Sequence, residues 1–126
     1  IYRIGGRLMK DVQDQLESVF MSFSDNVEEA LEKALDRRAK EAKSKIQRDS
    51  PTDKGNYKKN WSVKKEKHKR TVYNKKYGSL THLLEKGHQL SSGGRAKAIP
   101  HIDKNQKEVA EGFYSDCEEI VRNQRK

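Results

Sequence analysis

The stretch VEEALEKALDRRAKEAKSKI, residues 27–46, decides the fold. Within it Val27, Leu31, Leu35, Ala39, Ala42 and Ile46 recur at steps of three and four, which draws one apolar stripe down a helix. Ala30 and Ala34 widen its upper half, and Glu29–Lys33 and Glu41–Lys45 are i,i+4 pairs of the favourable orientation. Upstream, Ser22 with Asp25 fits a capping box, Ser24 is an alternative N-cap, and Glu28 and Glu29 suit the positive end of the helix. Pro51 stops the helix by about Asp49, because a residue before proline avoids the α region. The stripe reads as core; the competing reading is a groove for a partner helix.

Working outward, Leu8, Val12, Leu16 and Val19/Phe20 repeat the helical period over residues 8–20, after a flexible Gly5-Gly6. Downstream, Pro51 to Asn56 is a turn. Trp61, Val63 and Lys65 then alternate with polar residues as a strand, Glu66 to Lys69 make a polar hairpin turn, and Arg70 to Tyr73 a second strand. Leu80, Leu83 and Leu84 fit a short helix ending at Gly87, followed by a long loop over residues 88–98. Ile99 to Ile102 reads as a short edge strand, where Pro100 is tolerable. A last helix runs from about Asp103 to Asn123, with Gln106, Val109/Ala110, Phe113, Cys117 and Ile120/Val121 as its stripe. Gly112 weakens it by roughly 1 kcal/mol relative to alanine. The expectation is an α+β fold in which long N-terminal amphipathic helices and a C-terminal helix pack on a small antiparallel sheet with a basic hairpin. Residues 1–20 form a helical extension, and 21–126 a single domain.

The chain has 126 residues and only 32% apolar side chains, so its core is small and assembly with other copies would help stabilise it. No run approaches the roughly 18 apolar residues that span a bilayer. Arg3, Arg7 and Lys10 interrupt every stretch that could act as a signal peptide, and a reducing cytoplasm is the expected site of synthesis. The formal charge is +9, and most of it is local. From Asp53 to Lys76, Lys54, Lys58, Lys59, Lys64, Lys65, Lys67, Lys69, Arg70, Lys75 and Lys76 face only Asp53 and Glu66. Interleaved with Tyr57, Trp61, Tyr73 and Tyr77, this stretch can hold a phosphate backbone or an acidic partner. The bland alternative is a solvated strand pair whose outward lysines protect its edges.

Signals for chemistry are weak. His82, Glu85 and His88 stand at i, i+3 and i+6, so the outer two diverge on a regular helix, unlike the i,i+4 histidines of a zincin. Hydrogen-bonding, loop-anchoring histidines are the preferred reading, and no metal or cofactor is expected. Cys117, the one cysteine, lies on an apolar stripe and reads as a buried inert thiol. Ser91 to Arg95 has glycine and a positive charge but no Walker lysine–hydroxyl pair, and reads as a mobile loop. No triad or carboxylate pair stands out, so an enzyme is not expected.

The order of motifs carries a resemblance. The helix leads into Ser50-Pro51-Thr52-Asp53-Lys54-Gly55-Asn56-Tyr57 and Trp61-Ser62-Val63-Lys64, then Val72-Tyr73-Asn74-Lys75-Lys76. Leu80-Thr81-His82-Leu83-Leu84-Glu85-Lys86-Gly87-His88, Gly93-Gly94-Arg95 and Pro100-His101-Ile102 follow. From about Met21 to Arg125 the chain resembles the gene-ten-type tail-component family of long-tailed phages and prophages. The motif residues are Pro51, Gly55, Trp61, His82, Leu84, Glu85, Gly87, His88, Gly94, Pro100 and His101. The family has threonine at the position of Lys54 and Ala-Pro-Ala in place of Asp103-Lys104-Asn105, where Asp103 is itself an acceptable N-cap. The resemblance implies a structural virion protein that acts in head–tail joining or tail completion, without catalysis or cofactor. It implies a homo-oligomeric neck ring, sixfold by tail symmetry, assembled in the host bacterial cytoplasm. Its partners are capsid-connector, head-closure and tail proteins, with non-specific contact to DNA and none to membrane. The alternative function is a small basic nucleic-acid-binding module.

Overall fold

A computed structural model describes residues 25–52 and 55–123. The expected helix at 8–20, the Ser22 and Ser24 caps, and Lys54 lie outside the described residues. Helix α1 (Asp25–Asp49) is the spine, about 37 Å long at 1.5 Å per residue. It buries Val27, Leu31, Ala34, Leu35, Ala39, Ala42 and Ile46, the stripe read from the sequence. Its end is closed by Ser50, whose hydroxyl donates to the Ile46 carbonyl at 2.6 Å and accepts from the Trp61 indole N–H at 2.9 Å. Gly55, at φ 75, turns the chain into a single helical turn, α2 (Asn56–Lys59).

Strands β1 (Trp61–Glu66) and β2 (Lys69–Asn74) pair antiparallel, with Trp61 opposite Asn74 and Val63 opposite Val72. Period-two alternation sends Trp61, Val63, Arg70, Val72 and Asn74 towards α1, and Ser62, Lys64, Thr71 and Tyr73 to the other face. A 3-10 turn (Gly78–Leu80) then leads into α3 (Thr81–Lys86). The final helix, α4 (Asp103–Asn123), buries Asn105, Val109 and Phe113, with Cys117 and Ile120 half-buried against the same core. The architecture is the expected α+β. One part of the expectation is corrected: α4 packs on α1 and not on the sheet, because α1 lies between them as a shared floor on which the ribbon and α4 each pack.

Three local expectations change. Residues 88–98 are not a structureless loop, because β3 (His88–Gln89) pairs with β4 (Arg95–Ala96) as a small hairpin. Gly87 makes this possible: its φ is 75, and a Cβ there would lie 2.5 Å from the Ala96 carbonyl oxygen. Ile99 to Ile102 forms no strand; it is held by the Ile99 N–H to the Leu84 carbonyl (2.8 Å) and by buried His101 and Ile102. Finally, the buried residue of α3 is Glu85, whereas Leu80 is exposed and Leu83 and Leu84 are half-buried.

Candidate functional site: a clamped basic ribbon and a buried polar node

The turn joining β1 to β2 is not the polar, solvated tip that its composition suggests. His68, at φ 59, is buried. Its backbone N–H donates to Glu32 at 2.7 Å, and its Nε2 lies 2.6 Å from Glu28. Arg70 is fully buried beside it, bonded to Asp36 through Nε at 2.7 Å and to Glu32 through a terminal nitrogen at 2.6 Å. Its other nitrogen donates to the Glu66 and Lys69 carbonyls at 2.7 and 2.9 Å. Glu28, Glu32 and Asp36 stand at i, i+4 and i+8 on α1 and form one acidic stripe that grips the ribbon. Burial, the largest single influence, would raise the Asp36 carboxyl, but the hydrogen bonds and charges of Arg70 and Lys65 together outweigh it and hold the group below its ordinary value.

Expecting Arg70 to face a polyanion is therefore corrected: a guanidinium with its donors satisfied inside the fold has nothing to offer outside. The ribbon lysines divide. Lys65 lies 3.5 Å from Asp36, while Lys64 and Lys69 reach Glu66 at 3.1 and 3.7 Å. Lys58, Lys59, Lys67, Lys75 and Lys76 have no ion-pair partner among the described residues. Four of these come together at the open end of the ribbon, where the Lys75 N–H donates to the Asn60 carbonyl at 2.8 Å. That bond joins the Lys58–Lys59 turn to Lys75 and Lys76. Lys76 also lies 5.6 Å from the Tyr77 ring centre. The backbone thus brings these two lysine pairs to one end of the ribbon, with the Lys58 ammonium reaching the Arg48 carbonyl at 3.4 Å.

Three of the motif residues, Trp61, Glu85 and His101, converge elsewhere, on a buried node. Glu85 accepts the backbone N–H groups of His101 (2.7 Å), Ile102 (2.9 Å) and Asp103 (3.0 Å). It thus supplies from α3 the negative group that the N-terminus of α4 requires, a task the sequence reading gave to Asp103. Burial raises the Glu85 carboxyl, but these backbone bonds prevail and hold it below its ordinary 4.5. His101 Nδ1 faces the Ile99 carbonyl at 2.7 Å, so Nδ1 carries the hydrogen and Nε2 accepts the Tyr57 hydroxyl, also at 2.7 Å. The Tyr57, Trp61 and His101 rings meet edge to face at centre distances of 5.5–6.1 Å. Asn105 completes the node, donating to the His101 carbonyl and the Asp49 carboxylate at 2.9 Å each.

His82 is exposed and turned away from this cluster, and Glu85 is spent on backbone groups. Among the described residues, no three His, Cys, Asp or Glu side chains gather to hold a metal ion. Cys117 is half-buried, and burial pushes its thiol up to about 11. Pro51 and Gly55 lie in the turn before Tyr57, the Leu84 carbonyl accepts the Ile99 N–H, Gly87 and His88 open the β3–β4 hairpin, and Gly94 and Pro100 are exposed in that hairpin and its return. The sequence reading missed Glu28–Glu32–Asp36, although their four-residue spacing ahead of a basic hairpin was a usable signal. It also missed Asn105, for which the sequence holds no such signal.

No match was found among curated proteins or among solved structures. The family model described as "Bacteriophage HK97-gp10, putative tail-component" matches residues 10–87, more than half of the chain. The match begins at Lys10, inside the segment set apart above as an extension, and spans the clamp, the lysine cluster and α3. By that match this chain belongs to the HK97-gp10-like family of phage tail components, structural proteins of the virion.

Proposed function

We propose that the chain acts in head–tail joining or tail completion, as one subunit of a homo-oligomeric ring in the neck that assembles in the host cytoplasm. The observation that carries this reading is the set of Lys58, Lys59, Lys75 and Lys76, brought to one end of a ribbon whose other cations, Lys67 apart, are paired within the chain. Ion pairs with α1 fix the ribbon, so the cluster is presented on a stiff support. Cations without base-reading partners contact phosphates without selecting sequence, which suits DNA that must slide past. An acidic rim on an adjoining connector or tail ring is served by the same cluster. Rings arise from heterologous interfaces that close, and a small apolar core favours such burial between copies. The structural membership of the family accords with a role without catalysis.

Removing the gene from its phage or prophage tests this reading. Filled heads and finished tails should accumulate unjoined in electron micrographs of lysates. Joined virions formed without the protein would overturn it. The nucleic-acid module stands as the second reading, favoured by the same lysines. It predicts tight, sequence-selective duplex binding, where the neck reading predicts dissociation constants of about 10⁻⁴–10⁻⁶ M that weaken steeply with salt.

A further inference from the structure

The large apolar side chains left exposed are few: Tyr73, Leu80, Leu90, Ile99 and Tyr114 among the described residues. Three of them sit on the arm formed by α3 and the β3–β4 hairpin. Its charges are also one-sided. Over residues 78–100 the exposed ionised groups are Lys86, Arg95 and Lys97, because the arm's single carboxylate, Glu85, is buried at the node. The outer face of α4 is the converse. Residues 111–123 hold Glu111, Asp116, Glu118 and Glu119 against Arg122 alone, on a chain whose net charge is +9.

Asp116 is taken by Arg38, at 2.6 and 3.0 Å. Glu111, Glu118 and Glu119 are exposed and have no ion-pair partner among the described residues. Glu111, Tyr114 and Glu118 follow i, i+3, i+7, on the side of α4 opposite buried Val109 and Phe113. Tyr114, 43% exposed, thus lies in an acidic frame.

We propose that the arm of one copy docks on this outer face of α4 in the next, with Leu80, Leu90 and Ile99 against Tyr114 and with Arg95 and Lys97 against Glu111 and Glu118. The inference rests on the ring reading above and names its interface. The two surfaces are complementary in charge and each brings exposed apolar area, whereas each repels its own kind. The contact is therefore head-to-tail, the type that closes a ring. It leaves the lysine cluster on the ribbon free for a polyanion.

The test reverses charge on each side separately. The full-length protein and two variants, Arg95→Glu/Lys97→Glu and Glu111→Lys/Glu118→Lys, are examined by sedimentation at about 100 μM, a concentration that populates micromolar complexes. Wild type should self-associate and dissociate as salt is raised, since exposed charges are screened over roughly 10 Å at 0.1 M. Each variant should remain folded by circular dichroism yet associate at least about tenfold more weakly. Mixing the two variants should restore association, because an alternating ring pairs each altered arm with an altered helix and each native arm with a native helix. Six is an even number, so such a ring closes. Variants that assemble like wild type, or a mixture that stays monomeric, overturn this interface and leave the ring reading intact. A wild type that never self-associates overturns both.

Discussion

Glu85 offers the sharpest test of how the fold is held together. Replacing it with alanine removes the acceptor of three backbone N–H groups, at 2.7, 2.9 and 3.0 Å. Two of the donors, on His101 and Ile102, are buried, and the third, on Asp103, is within reach of water. An unsatisfied buried donor costs about 1–3 kcal/mol, so the two together should cost roughly 3–5 kcal/mol once partial relaxation is allowed. For a chain of this size that lowers Tm by approximately 10–20 °C. Urea unfolding, followed by far-ultraviolet circular dichroism and by the fluorescence of the single Trp61, measures it. The sign of the pH dependence follows from the same geometry. The folded carboxyl titrates below its ordinary 4.5, so its contribution is complete above that value and is lost as pH falls through the lower folded value. Glu85→Gln should therefore be weakened at neutral pH and converge on wild type in acid. Asp36, Glu41 and Asp116 are also held low, so only the difference between the two proteins isolates Glu85. A loss below about 1 kcal/mol for Glu85→Ala, or a difference independent of pH, would refute the assignment of Glu85 as the cap of α4.

Trp61→Ala removes a buried indole and leaves the Ser50 hydroxyl with only its bond to the Ile46 carbonyl, and should cost about 3–5 kcal/mol in the same assay; under 1 kcal/mol would place Trp61 outside the core. Gly112→Ala should gain about 1 kcal/mol of helix stability in an Arg38→Ala background but little in the wild type, where the new Cβ would stand 2.7 Å from the Arg38 guanidinium; equal gains in both backgrounds would show that the crossing of Arg38 to Asp116 is unimportant. Charge reversal at Lys58, Lys59, Lys75 and Lys76 together should abolish joining of heads to tails with Tm unchanged, while single alanine variants remain active in the same complementation assay. Arg70→Ala should instead loosen the ribbon at a cost of about 1–3 kcal/mol, because among the described residues it leaves Glu32 with only the His68 N–H and Asp36 with only Lys65, and empties the buried site of the guanidinium. A silent Arg70→Ala would mean that the clamp adds nothing.

Local periodicity by itself determined the two long helices. Every third or fourth residue of 27–46 is apolar, and Pro51 forbids continuation, so α1 ends at Asp49 as expected. The Asp103 and Asn123 bounds of α4 follow from the same reasoning, as does the pairing of two short alternating runs on either side of Lys67-His68. Glycine geometry was legible too: Gly55 and Gly87 both adopt the positive φ that their places at element boundaries suggest. What the sequence could not determine is which charges face each other, because ion pairs form between residues far apart in the chain. Lys64 and Arg70 look equivalent in the sequence, yet Lys64 points to solvent and Arg70 is sealed against Glu32 and Asp36, more than thirty residues away. Likewise the sequence marks Glu85 as a motif residue and a weak metal-ligand candidate, but only the fold, which brings the start of α4 against it, makes it that helix's cap. Gly112 reads as a weak point until the Arg38 guanidinium is seen crossing it. Periodicity is a property of neighbours along the chain; the pairing of charges is a property of neighbours in space, and only the tertiary structure decided it.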